Sequence, residues 1–202
     1  MERDTAKLYA LLASHPCATV EAALKLKSIP YKRIDLLPLT QVLAGPLIYG
    51  GNRVPGLRLG SERIAGSRKI MRRLDELQPD PPLLPAPGSA EYARVLEAER
   101  WGDEVFQDVP RHIIDVGFLR NAGAMESYAG DAKLPLPRPL LRLSLPMTAR
   151  LMARWNRASD AIAAEEIAAL PAQLDRIDGW IAEGLLGGAQ PNAADLQIGS
   201  TV

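Results

Sequence analysis

The sequence predicts a two-part chain, with an α/β half of order β-α-β-α-β-β-α over residues 1–77 and an all-helical half over residues 89–202. Three observations predict it. In the first 77 residues, strand-like apolar runs alternate with helical stripes. Beyond Gly88 the strand signals stop and helical spacing takes over. Between the two lies QPDPPLLPAPG, residues 78–88, where five prolines in eleven positions remove backbone donors and fix φ, so neither helix nor strand runs through.

The elements follow in order. Lys7 to Leu12 reads as a first strand, and Val20, Ala23, Leu24 and Lys27 share one stripe of a helix starting near Pro16. Ile29-Pro30 ends that helix, and Tyr31 to Asp35 reads as a second strand. These make a βαβ unit, which demands parallel strands and a right-handed crossover. Thr40 to Ile48 fits a short helix that Gly45-Pro46 would interrupt, and Gly50-Gly51-Asn52 marks a turn. Arg53 to Leu59 and Glu62 to Ala65 bracket Gly60-Ser61 as a hairpin. Ser67 then stands in an N-cap position before the stripe Ile70, Met71, Leu74, Leu77.

Downstream, Ala90 to Gln107, Pro110 to Arg120, Thr148 to Ser159 and Ala161 to Glu183 read as helices. In the last, Leu170, Leu174, Ile177 and Ile181 form a stripe expected to be buried, and Pro171 marks a first turn or a kink. Met125 to Tyr128 reads as a loop, and Lys133 to Pro146, with four prolines, as a semi-extended connector.

Composition narrows the chemistry. Twenty-four Lys plus Arg balance twenty-four Asp plus Glu across 202 residues, so no global field draws in nucleic acid or an anionic membrane. One cysteine, Cys17, and two histidines, His15 and His112, leave no disulfide framework and little for a metal site, so no metal is expected. Apolar runs fall well short of the roughly 20 residues that span a bilayer, and neither a secretory signal nor membrane association is expected. A single unpaired cysteine fits a reducing compartment, with the cytoplasm as the default.

Three local features remain as candidate chemistry. Ser14-His15-Pro16-Cys17 sits where the first strand enters the first helix; there, unpaired N–H groups and the helix dipole favour an anion, such as a Cys17 thiolate or a bound thiolate beside Ser14. The plainer alternative is an N-cap serine and a small buried cysteine. Val54-Pro55 puts proline in a strand-like run, which implies an edge, a bulge or a cis bond. Gly66-Ser67-Arg68 opens the last helix of the first half, where a hydroxyl and free N–H groups suit a carboxylate, or where Ser67 simply caps.

Their order and spacing resemble a known family. KLYALLASHPCATVEAALKLKSIPYKRIDL, then RVPGL, then IAGSRKIMRRLDEL are similar to the thioredoxin-like N-terminal domain of cytosolic glutathione S-transferases, including its mixed four-stranded sheet. The helical remainder resembles their C-terminal domain. Gln190-Pro191-Asn192-Ala193-Ala194-Asp195-Leu196 is similar to the capping motif of that domain's central helix, and Asn192 and Asp195 have N-cap and N3 spacing. The last residue, Val202, falls inside the helix Asn192 should open, whereas family members usually continue further.

The resemblance implies glutathione as co-substrate and conjugation of its thiolate to a small hydrophobic electrophile. It places Ser14 where the serine and cysteine classes, such as zeta and omega, keep their catalytic side chain. Cys17 takes the fourth position of the glutaredoxin-like C-x-x-C pattern, and the alternative activity it implies is glutathione-dependent thiol-disulfide exchange. A third reading is a non-catalytic binding module of the same fold. Val54, before the family's cis-proline Pro55, would meet the cysteinyl backbone of glutathione, and Ser67 its γ-glutamyl carboxylate. His15, Arg53 and Gly66 complete the implied glutathione set. Gly66 is a departure, because the family commonly has an acid there for the γ-glutamyl ammonium. Trp101, Val105, Arg111 and His112 are candidates for the electrophile's cleft, and Tyr9 is the one tyrosine early in the chain worth checking. A homodimer is expected, with Arg68, Arg72 and Arg73 facing Glu91, Glu97 and Glu99.

Overall fold

The computed structural model describes residues 5–129 and 137–202. Four strands, β1 (Ala6–Ala10), β2 (Tyr31–Asp35), β3 (Gly56–Leu59) and β4 (Glu62–Ala65), form one mixed sheet in the order β2-β1-β3-β4. β1 and β2 are parallel, with Leu8 opposite Arg33, and α1 (His15–Leu26) crosses between them. β3 returns antiparallel to β1, and the chain turns at Gly60, with φ 60°, into antiparallel β4. With α2 (Thr40–Ile48) and α3 (Ser67–Leu77) the expected order β-α-β-α-β-β-α is complete.

Two boundaries differ. β1 ends at Ala10 rather than Leu12, and β3 starts at Gly56, so Arg53 to Pro55 form an approach to the sheet rather than part of it. α2 forms with Pro46 inside it, and Gly45 is required beside that proline. A Cβ on Gly45 would stand 2.2 Å from the Gly51 carbonyl oxygen.

One core lies between the sheet and the two helices α1 and α3. Leu8, Ala10 and Leu57 of the sheet meet Val20, Ala23 and Leu24 of α1 and Ile70, Met71 and Leu74 of α3. The buried ammonium of Lys27 closes its edge. Nζ donates to the carbonyl oxygens of Gln78 at 2.6 Å and Pro81 at 2.7 Å and pairs with Asp75 at 2.7 Å, which pins the start of the proline-rich segment.

A second core joins α4 (Ala90–Trp101), α8 (Asp160–Ala182) and α9 (Ala193–Gly199) through Val95, Ala98, Ile177, Leu185, Leu186, Ala194 and Ile198. Trp101 stacks on Phe106 at 5.1 Å and meets Trp180 edge-on at 5.2 Å. α9 is opened by the reciprocal cap expected from its sequence. Asn192 Oδ1 accepts from the Ala194 and Asp195 amides at 2.8 and 3.0 Å, and the Asp195 carboxylate accepts from the Asn192 amide at 2.9 Å.

The helical half departs from expectation in four places. α4 passes through a π-helical turn, Gly102–Phe106, before α5 (Asp108–Arg120) begins. The segment expected as a loop is α6 (Met125–Ala129). The proline-rich connector is helical from Arg138 onward, in α7 (Arg138–Asn156), while its residues before 137 lie outside the described residues. Pro139 falls in the first turn, where its missing N–H costs nothing, and only Pro146 interrupts the interior. Lastly, the α8 stripe is not buried as a whole. Ile177 packs inward, but Leu174 and Ile181 are 40% and 50% exposed because α8 meets its neighbours over a narrower face. Among the described residues no helix is long and apolar enough to cross a membrane.

Candidate functional site

A cleft of about 1370 Å³ lies between the N-terminal ends of α1 and α3 on one side and α5 and α7 on the other. Ser14, His15, Arg53, Val54, Pro55, Gly66 and Ser67 all line it, although three separate chain segments supply them. Cys17 does not.

Ser14 is the N-cap of α1, extended at φ −86° and ψ 112°. Its carbonyl accepts from the Cys17 and Ala18 amides, both at 3.0 Å. Its hydroxyl makes no capping bond to the helix. Cys17 is 1% exposed within the first core, and burial pushes its thiol up to about 11 even though the Ser14 hydroxyl favours the thiolate. A reactive thiol needs access and a lowered pKa, and Cys17 has neither. His15, the next residue, is held below its usual range by burial and by the field of Arg111.

The Val54-Pro55 peptide bond is cis, and the Pro55 carbonyl accepts from the Gly66 amide at 2.9 Å. That bond ties the approach to β3 to the start of α3. Gly66, not Ser67, is the N-cap of α3, with φ 94° and ψ 135°. A Cβ there would touch nothing within 4 Å, so the positive φ rather than space accounts for glycine. Ser67 is therefore the first helical residue. Its hydroxyl is buried and donates to Gln197 Oε1 of α9 at 3.1 Å instead of capping its own helix.

The helices facing the cleft contrast with those away from it. α4, α8 and α9 have side-chain caps from Ser89, Ser159 and Asn192. α1 and α3 have none. The first-turn N–H groups of α3, the His15 amide of α1 and both positive dipole ends stay available to an anion entering the cleft.

The opposite wall carries residues that the sequence reading missed. Asp103 lies on the π-helical turn and Gln107 just after it, and both line the cleft. Gln107 Nε2 donates to the Asp103 carboxylate at 3.0 Å and to its carbonyl, while Gln107 Oε1, on a side chain 7% exposed overall, accepts from nothing among the described residues. Burial raises the Asp103 carboxyl, partly offset by Arg68. Arg68 donates to Glu104 at 3.1 Å, and Arg72 forms a bidentate pair with fully buried Glu99. A usable signal was present in sequence, as Gly102 breaks the helical pattern just before two consecutive acids.

Of the electrophile candidates only Arg111 lines the cleft, paired with Asp108. Trp101 belongs to the second core, and Val105 is exposed away from the cleft. His112 is held between α7 and α8, with Nδ1 2.7 Å from Glu166 and Nε2 2.9 Å from the Asn156 carbonyl. Tyr9 packs its ring against Tyr49 at 5.6 Å and does not reach the cleft. Among the described residues no group of His, Cys, Asp and Glu is arranged to hold a metal ion.

Comparison with known proteins agrees with this architecture. Residues 8–82 match the glutathione S-transferase N-terminal domain family. No curated protein matches the chain. Solved structures match over nearly its whole length. A beta-etherase from Sphingobium sp. strain SYK-6 has 17% identity and TM-score 0.67, covering 98% of this chain and 82% of that one. A glutathione S-transferase from Rhodospirillum rubrum F11 has 18% identity and TM-score 0.65, covering 97% and 76%. A glutathione S-transferase from Methylobacillus flagellatus KT, solved with glutathione bound, has 16% identity and TM-score 0.63, covering 97% and 80%.

Proposed function

We propose that this chain, which carries a glutathione S-transferase N-terminal domain over residues 8–82 and has the glutathione S-transferase fold, binds glutathione in the cleft and transfers its sulfur to an electrophile. The observation that carries this reading is the convergence of two helix N-termini without side-chain caps, α1 at Ser14 and α3 at Gly66, on one cleft with the cis peptide of Val54 between them in sequence.

Both charged groups of the γ-glutamyl end of glutathione then have a partner of the right charge. The γ-glutamyl carboxylate goes to the free N–H groups at the start of α3, so the Ser67 backbone matters more than its committed hydroxyl. The γ-glutamyl ammonium, which has no acid at Gly66, goes across the cleft to Asp103 and the unpaired Oε1 of Gln107. Val54 offers its backbone to the cysteinyl unit. Arg53 is not assigned to glutathione, because its guanidinium stands over the Trp155 ring of α7 at 5.6 Å.

The sulfur lies by Ser14 in this reading. A thiol of pKa near 8.5 is only a few per cent thiolate at pH 7, and lowering it by two units takes about 2.7 kcal/mol. A hydrogen bond from the Ser14 hydroxyl, about 1.5 to 3 kcal/mol, and the α1 dipole, about 0.3 to 1 kcal/mol, are together of that size. For this the hydroxyl points its proton at the glutathione sulfur. The thiolate attacks the electrophilic carbon and a C–S bond forms; on a halide the leaving group departs with its bonding pair, and on an enone the displaced π pair becomes an enolate that takes a proton from water. Thiol-disulfide exchange through Cys17 is set aside because its sulfur is buried and held as the thiol.

A homodimer through α3 and α4 would not draw on Arg68, Arg72 or Glu99, which pair with one another and with Glu104 inside one chain. The test is glutathione-dependent conversion of a panel of aryl halides and enones by wild type and Ser14→Ala. Turnover in wild type that falls at least tenfold in Ser14→Ala supports the reading, and equal rates on a substrate that wild type converts overturn it.

A further inference from the structure

The two ends of the cleft differ in chemistry. Beyond the helix N-termini, its far half is walled by Ile114 of α5 and by Leu145, Met152 and Trp155 of α7. This is an apolar lining. Yet the cleft as a whole is basic in a chain of zero net charge, with seven Lys and Arg side chains on its walls against five Asp and Glu. Such a local excess inside a partly desolvated cleft concentrates anions.

The pairing pattern locates the excess. Arg68, Arg72, Arg111 and Arg142 are each engaged by a carboxylate, from Glu104, Glu99, Asp108 and Glu126 respectively. Asp103 and Asp115 are taken by amide donors from Gln107 and Asn156. Arg53, Lys69 and Arg138 form no ion pair among the described residues, and of these three Arg53 alone stands over an aromatic face, that of Trp155. A guanidinium held over an indole keeps its charge and its in-plane N–H groups, the geometry that receives a carboxylate through two parallel hydrogen bonds. The apolar wall and this guanidinium therefore meet at one place, Trp155.

We propose that the far half of the cleft takes an apolar ligand bearing a carboxylate, with the carboxylate on Arg53 and the apolar body against Trp155, Met152 and Ile114. Resting on the reading above, this ligand is the acceptor of the glutathione sulfur. Arg53 follows Asn52 and directly precedes Val54, so the residue that receives the acid is next in sequence to the one that receives the cysteinyl backbone. The acceptor is thus an amphipathic organic acid rather than a neutral hydrocarbon-like electrophile.

The experiment uses an unreactive matched pair, 3-phenylpropanoate and 3-phenylpropanamide, titrated into the full chain by calorimetry without glutathione, and again with Arg53→Gln and Trp155→Ala. The account expects the acid to bind at least tenfold tighter than the amide, the preference to shrink as salt rises, and Arg53→Gln to abolish the preference without abolishing the weaker amide binding. Trp155→Ala weakens both. Equal binding of the pair, binding of neither, or an unchanged preference in Arg53→Gln overturns the proposal. Because glutathione is absent from these titrations, a separate failure to bind glutathione would overturn the transferase reading and leave the acid site standing.

Discussion

The Ser67 hydroxyl donates to Oε1 of Gln197 at 3.1 Å in a buried contact across 130 positions of sequence. Thr19 of α1 and Ser200, just past α9, form a second such contact, with their hydroxyl oxygens 2.6 Å apart. α1 and α3, whose N-termini open onto the cleft, are each fastened to α9. The short capped helix near the end of the chain therefore positions the anion-binding end of a cleft that its own side chains do not line.

Gln197→Ala removes a fully buried side chain and leaves the Ser67 hydroxyl unpaired. A cost of about 2 to 4 kcal/mol is expected in urea unfolding. Glutathione binding should weaken as well, which calorimetry on the folded variant would measure. Unchanged affinity would show that α9 supports the fold without tuning the cleft.

Asn192→Ala isolates the capping box from the cleft. Losing the two bonds accepted by Oδ1 should cost about 1 to 2 kcal/mol. Glycine at the same position should recover part of that loss, and the midpoints of chemical unfolding for the three proteins check it.

Glu99 is fully buried, and its carboxylate takes the Arg72 guanidinium. Breaking a buried pair from one side is costly, so Glu99→Ala should lose about 3 kcal/mol or more. Arg72→Met in the same background, which removes the unmatched cation, should return part of it. A double-mutant cycle measured by urea unfolding tests this, and strict additivity would mean the pair is not coupled.

Cys17 sets an alkaline limit on stability. Its folded-state pKa is raised, to about 11 from an ordinary value of 9.0, so the unfolded chain loses the proton first. Stability is intact below pH 9 and falls as pH rises toward 11, by up to about 3 kcal/mol from this group. Cys17→Ala should flatten that part of the profile, while native protein at pH 8 should resist alkylation by iodoacetamide until it is unfolded.

Much of the architecture was legible because its signals are local. The βαβ pattern, the Gly60-Ser61 hairpin and the Asn192 cap each depend on a few neighbouring residues, and all three appear where the sequence put them. Counting prolines misled at α7, since Pro139 occupies a first turn and a stripe of Leu141, Leu145, Thr148 and Met152 at helical spacing faces the cleft. Apolar spacing misled at α8, because periodicity shows which residues share a face but not how much of that face a neighbour covers. The site was legible in its parts on the first half of the chain. Gly102 and the two acids after it marked a break in the helix, but that Asp103 and Gln107 face the cleft, and that Arg53 meets Trp155, depends on how the helical half folds back over the sheet, which no local pattern encodes.

The most direct test of the central claim is the thermal melt of the full chain with and without about 5 mM glutathione, beside Asp103→Asn and an unrelated thiol as control. The account predicts a rise of several degrees specific to glutathione and its S-alkylated form, and a much smaller rise in Asp103→Asn. No rise in wild type would contradict glutathione binding in this cleft, and an undiminished rise in Asp103→Asn would contradict the place given to the γ-glutamyl ammonium.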